Sequence, residues 1–282
     1  MLSAALVAFA ALVAMPAFAG TNSTTLPNGA QLSVSINSPA AGTEFLADGA
    51  PVAVPVTGTA SIGVGNPQAT FIYVFDASGS TASSGGACGS VLQCEQTFFT
   101  GLNTAGTNSG SVNHIGLVVF GADAVKADMT PAVGDDQLGA PADGNTVVNS
   151  ISGGFQIGQY TAKSGNGSST NFAAALQQVL AELNASGDSK KFVVFASDGV
   201  SNAGSSTDFT NAVTAIGATG AVVNSIAVGA GSSCSGGTAG HLSDIALNGG
   251  TCIAVPDPNN LPNLIPNLIG STLTQVQMSV DG

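Results

Sequence analysis

Ala69-Thr70-Phe71-Ile72-Tyr73-Val74-Phe75 runs straight into Asp76-Ala77-Ser78-Gly79-Ser80. The first seven residues have the near-continuous apolar character of a strand buried on both faces, as in a parallel sheet. The next five place one carboxylate and two hydroxyls at alternate positions on the loop leaving that strand. Open α/β sheets bind ligands at this edge, beyond the carboxyl ends of their strands. An all-oxygen set of this kind suits a hard divalent cation such as Mg²⁺, Mn²⁺ or Ca²⁺.

Two later segments extend the pattern. Gly167-Ser168-Ser169-Thr170-Asn171 opens a helix whose apolar residues Phe172, Leu176, Val179, Leu180 and Leu183 recur at helical spacing, with Gly187 as a stop. Phe192-Val193-Val194-Phe195-Ala196 is a second apolar strand and ends in Ser197-Asp198-Gly199. A strand followed by DxSxS, a threonine at a helix start and a strand followed by SDG, in that order, resemble the von Willebrand factor A (VWA) domain with its metal-ion-dependent adhesion site.

The resemblance covers residues 67–272. It implies a doubly wound, mostly parallel Rossmann-like α/β fold. It also implies a metal site in which Ser78, Ser80 and Thr170 are direct ligands, while Asp76 and Asp198 act through water. The remaining position would take a carboxylate from a partner, a protein or other acidic ligand, with Mg²⁺ the expected ion and Mn²⁺ or Ca²⁺ the alternatives. Each residue also has a plainer role open to it. The aspartates could close βα turns, Thr170 could cap the helix that follows it, and the serines could fill a loop.

Around this unit the periodicity changes from apolar runs to alternation. Gln31 to Ile36 alternates through Leu32, Val34 and Ile36, and Pro51 to Ile62 through Val52, Val54 and Val56. Val276 to Val280 alternates again and runs into Asp281-Gly282. These pieces resemble strands of a bacterial Ig-like β-sandwich, residues 31–66 supplying the first strands and 273–282 the next. The expectation is a VWA unit inserted in a partial Ig-like domain, in a chain cut short within that domain, with further Ig-like domains as possible neighbours. The alternative is a small accessory sheet from the two ends.

Within the insert, Ile115–Phe120, Val222–Val228 and Cys252–Val255 read as strands and Ala124–Val133 as an antiparallel edge strand. Phe209–Ile216, Leu242–Leu247 and Leu261–Leu273 read as helices.

Leu2 to Val13 is an apolar core followed by Ala17-Phe18-Ala19, the form of a secretory signal over residues 1–19, although no basic residue precedes it. Residues 20–30 form a polar leader. Four cysteines in an exported chain imply two disulfides, and local spacing favours Cys88–Cys94 and Cys234–Cys252 among three connectivities. The expected location is secreted or at the cell surface.

Only 7% of residues are charged and the formal net charge is −12. That balance opposes nucleic-acid binding and electrostatic attachment to anionic lipid. No second segment is suited to cross a membrane, since Leu261 to Leu273 is broken by Pro262 and Pro266. Motifs for a nucleophile elbow, an HExxH zinc protease and a P-loop are missing. His114 and His241 read as surface or capping residues, and Asp135, Asp136 and Asp143 as a solvated loop lacking EF-hand spacing. Asp76 and Asp198 as a hydrolytic pair would lack a separate general base.

The expected function is therefore extracellular, metal-dependent protein binding without catalysis. One alternative is a structural or assembly spacer in a large secreted repeat protein, the metal serving only stability. A chelatase-type accessory unit fits less well, because such proteins work in the cytosol.

Overall fold

The computed structural model describes residues 21–25, 31–41, 43, 54–62, 69–110, 112–127, 129, 138–149, 151–152, 156–157, 169–235 and 240–269. The signal sequence expected over residues 1–19, Val52, Asp135, Asp136, Gly167, Ser168 and the strand expected over Val276–Val280 lie outside them. Two compact units are distinguished, 66–272 and the residues on either side of it.

The smaller unit contains β1 (Thr21–Thr25), β2 (Gln31–Ser38) and β3 (Thr57–Ile62) in an antiparallel sheet of that order. Thr21–Thr25, expected within a polar leader, pairs residue for residue with Gln31–Ser35. The strand expected from Pro51 starts instead at Thr57. Pro55 has no N–H for a ladder, and Val56 beside it is 38% exposed. Leu32, Val34 and Ile36 are half-buried.

The larger unit begins with β4 (Ala69–Asp76), a 3-10 turn (Gly79–Ala82) and a small hairpin, β5 (Ser84–Gly86) and β6 (Gly89–Ser90). Helix α1 (Val91–Ser109) and β7 (Val112–Phe120) follow, then β8 (Ala124–Lys126), β9 (Leu138–Gly139), α2 (Pro141–Asn149), β10 (Ile151–Ser152) and β11 (Gln156–Ile157). Next come α3 (Phe172–Ala185), β12 (Lys190–Ser197), α4 (Ser206–Ala218), β13 (Val222–Val228), α5 (Leu242–Ile245) and β14 (Cys252–Val255). A 3-10 segment (Pro258–Leu264) leads into α6 (Ile265–Ile269).

The main sheet has the order β14-β13-β12-β4-β7-β8. Its first five strands are parallel, and β8 and β9 pair antiparallel with β7. Every residue of β4, the central strand, is buried. Tyr73 and Phe75 meet Phe99 of α1 on one face, with ring centroids 5.4 and 4.3 Å apart. Phe120, Phe172 and Phe195 tie α3 to the sheet, with centroids 5.1 to 6.0 Å apart. Burying each such ring contributes roughly 1.5–3 kcal/mol.

Local signals set the helix ends. In α1, Ser90 and Gln93 form a reciprocal capping box, and Gly110 closes the helix in the left-handed region at φ 62°. The sequence patterns set no bounds for α1 or α2. Asp143, expected in a solvated loop, lies in the first turn of α2. The expected helix over Leu261–Leu273 begins as 3-10 as far as Leu264, because Pro262 cannot donate within an α-helix, and turns α-helical only in α6. The edge strand expected over Ala124–Val133 is confined to β8 among the described residues. Disulfides join Cys88 to Cys94 and Cys234 to Cys252, the pairs that local spacing favours.

Candidate metal centre

From β4 the chain runs through α1 to β7 on one side, then returns through α3 to β12 on the other. The gap between the carboxyl ends of β4 and β12 is therefore a topological switch point, where an open sheet leaves a crevice. Asp76 ends β4, and Asp198 follows Ser197, the last residue of β12.

The five residues singled out in the sequence come together there. Asp76 is fully buried. Its Oδ1 accepts from the Ser78 amide at 2.8 Å and its Oδ2 from Ser197 Oγ at 2.5 Å. The Ser78 and Ser80 hydroxyls lie 3.0 Å apart, and Ser80 Oγ donates to Asp198 Oδ1 at 2.7 Å. Thr170 completes the group. A Cβ placed on Gly199 would stand 3.2 Å from Thr170 Oγ1 and 3.6 Å from Ser80 Oγ. The missing side chain at Gly199 thus leaves a cradle between hydroxyls contributed by two separate loops.

Thr170 is held through its main chain. Its amide donates to Asn202 Oδ1 at 2.9 Å, and its carbonyl accepts from the Asn202 and Ala203 amides. Asn171 donates its amide to Gly121 on the loop after β7. The cap of α3 is Asn171, whose Oδ1 accepts from the Ala174 amide at 3.1 Å. Capping, one of the plainer roles open to Thr170, therefore belongs to its neighbour.

Burial and the charge of Asp198 push the Asp76 carboxyl up to about 6, against hydrogen bonds from Ser197 and Ser78. Burial also raises Asp198, opposed by its bond from Ser80. Two acids held together with raised proton affinity form a site short of positive charge. Ser80 is exposed and Asp198 half-buried, whereas Asp76, Ser78 and Thr170 are buried, so the group has one open side. Among the described residues no three His, Cys, Asp or Glu side chains converge as a ligand set. A cation here would depend on the hydroxyls, and hydroxyl-plus-carboxylate oxygen is the donor chemistry of Mg²⁺, Mn²⁺ and Ca²⁺.

His114 lies elsewhere. His114, inside β7 rather than before it, places Nδ1 3.0 Å from Asp188 Oδ2. Its register partner is Thr70, near the start of β4 and away from Asp76. His241 stands at the N-terminus of α5 and makes no side-chain cap. In the sequence Ser197 and Gly199 stand out only as flanks of Asp198. Their signal was position, directly beside a carboxylate at a strand end.

The sequence matches the von Willebrand factor type A domain over residues 72–267. The chain belongs to that family.

Solved structures share this VWA fold. Proximal thread matrix protein 1 from the mussel byssus is 21% identical, with a TM-score of 0.54 over 72% of this chain and 48% of that one. A structure of the same mussel protein, described as having a zinc-occupied MIDAS motif, is 17% identical with a TM-score of 0.53, covering 72% and 45%. A von Willebrand factor type A protein from Catenulispora acidiphila is 16% identical with a TM-score of 0.51, covering 93% and 51%. At these identities the likeness concerns the fold alone. The chain spans about half the length of these solved relatives. No curated protein sequence matches it.

Proposed function

We propose that this VWA domain binds a divalent cation through Asp76, Ser78, Ser80, Thr170 and Asp198 and uses it to capture a carboxylate of a protein partner outside the cell. The carrying observation is the hydrogen-bonded series Asp76–Ser78–Ser80–Asp198, with the Thr170 hydroxyl across the Gly199 cradle. These oxygens line one side of a crevice whose other side is open. A cation held mainly by neutral hydroxyls keeps most of its charge, so an incoming Asp or Glu gains a strong electrostatic contact.

Binding without catalysis is the reading taken, and His114, paired with Asp188 and in register with Thr70 near the start of β4, offers no general base to the crevice. Mg²⁺ is the expected ion. An extracellular setting is supported by the two disulfides. No helix among the described residues is long and apolar enough to cross a membrane.

Calorimetric titration of Mg²⁺ and Mn²⁺ into the wild type and Asp76→Ala tests the reading. Saturable heat in the wild type, lost in a folded Asp76→Ala protein, is expected. Equal and negligible heats in both would leave the five residues a purely structural role.

A further inference from the structure

Two glutamates are fully buried with neither carboxylate oxygen hydrogen-bonded, Glu95 of α1 and Glu182 of α3. Leaving an acid in this state is costly, because an unpaired buried carboxylate loses its hydration and gains nothing in return. The buried side of α1 carries Leu92, Phe98, Phe99 and Leu102, and its other buried polar side chain, Asn103, is hydrogen-bonded to Tyr73, Pro141 and Asn145, so Glu95 alone stands unpaired there.

The two acids differ in the charges around them. Lys126 acts on Glu182 and offsets part of its burial. The charges acting on Glu95 are two more acids, Asp76 and then Asp198. The Asp76 main chain favours its ionised form without completing a hydrogen bond. Lys190 and Lys191 open β12, at the other end of the strand from Asp198.

Glu95 is also fixed in place. The adjacent Cys94 is bridged to Cys88, in the loop that follows Ser80. The helix start is locked by the Ser90–Gln93 capping box. Phe99, one helical turn further on, packs against Phe75 with ring centroids 4.3 Å apart, which seats Glu95 at the carboxyl end of β4. An acid buried there beside two other acids and, among the described residues, with no cationic side chain acting on it points to a missing positive charge at that spot.

The geometry points to Glu95 as a further carboxylate of the cation site, acting from beneath through Asp76 rather than as one of the oxygens lining the cradle. This rests on the reading of Asp76 and its partners as a cation site. In a poorly screened interior a third negative charge strengthens the hold on a divalent ion. It also links the ion to α1, whose buried face carries an uncompensated acid whenever the ion is absent.

The test compares the wild type, Glu95→Gln and Glu182→Gln by Mn²⁺ titration calorimetry and by thermal melting in EDTA and in Mn²⁺. Glutamine keeps the shape and removes the charge. Glu95→Gln is expected to bind Mn²⁺ at least tenfold more weakly, to melt higher than the wild type in EDTA, and to gain less from added Mn²⁺. Glu182→Gln should keep the wild-type Mn²⁺ affinity. Should Glu95→Gln not fold, Glu95→Met is expected to show the same loss of affinity. A Glu95 variant that binds Mn²⁺ within twofold of the wild type overturns the role of Glu95 alone. A wild type that binds no Mn²⁺ overturns the cation site and this inference with it.

Discussion

Ser80 Oγ donates to Asp198 Oδ1 at 2.7 Å, across 118 positions of sequence. The bond joins the loop after β4 to the residue after β12, two neighbouring strands of the parallel sheet. Ser80 is exposed, so the bond contributes little to folding. Ser80→Ala should change the melting temperature in EDTA by no more than a few degrees, equivalent to about 1 kcal/mol or less. The same change should weaken Mn²⁺ binding at least tenfold. An unchanged affinity would remove Ser80 from the site.

Thr170 and Asn171 should separate binding from folding. Asn171 caps α3, so Asn171→Ala is expected to cost about 1 kcal/mol of stability in denaturant titrations. Thr170→Ala removes no cap and should cost less. In cation titrations the larger loss should come from Thr170→Ala, whose hydroxyl reaches the Gly199 cradle. A Thr170→Ala protein that binds Mn²⁺ normally contradicts this assignment.

Without a cation, stability should fall as pH rises above about 4. Burial and Asp198 raise Asp76 from 3.8 to about 6, so the folded state holds this proton more tightly than the unfolded chain. The stability from that proton is complete below the unfolded value and is lost as pH rises through about 6. A shift of this size corresponds to roughly 3 kcal/mol. Asp198 acts in the same direction. Glu182, pushed up to about 8 by burial against the pull of Lys126, extends the decline. Asp188 opposes it. Burial alone would raise Asp188, but hydrogen bonds from Asn113, Thr70 and His114 lower it, so its contribution is present above its unfolded value and lost in acid. Melting temperatures in EDTA should therefore drop between pH 4.5 and 7, and saturating Mn²⁺ should remove most of the drop. A melting temperature that rises across this range in EDTA would contradict the arrangement.

The two disulfides should contribute unequally. Cys234–Cys252 spans 18 positions and Cys88–Cys94 spans 6. Loop-closure entropy assigns them about 3 and about 2 kcal/mol. Paired Cys→Ala variants, unfolded in denaturant, should rank in that order. The reverse ranking would show that the Cys88–Cys94 loop owes more to its packing on α1 than to chain entropy.

Much of the larger unit was legible because its strands are apolar on both faces and two of the candidate site residues, Asp76 and Asp198, sit at strand ends. Asp76 and Asp198 declare themselves by closing apolar runs, and the alternation of strand and helix fixes their common edge. The Thr170 and Asn171 roles were harder to separate, since either side chain can cap and only the backbone geometry assigns the bond to Asn171. Glu95 carried no sequence signal. A single acid in a helix reads as surface, and only its burial without a hydrogen bond sets it apart. Thr21–Thr25 reads as leader because hydroxyl side chains carry no apolar alternation, yet all five of its residues pair with Gln31–Ser35 of β2. Pro55 shortened the neighbouring strand for the opposite reason, since apolar alternation cannot replace a missing N–H.

The most direct measurement is a crystal of the wild type soaked in Mn²⁺ and recorded at the manganese absorption edge. One anomalous peak is expected, in contact with the Ser78, Ser80 and Thr170 hydroxyls and beside Asp76 and Asp198, and missing from an Asp76→Ala crystal treated in the same way. A wild-type crystal with no peak in that crevice, or with a peak that persists in Asp76→Ala, would show that these five residues do not form the cation site.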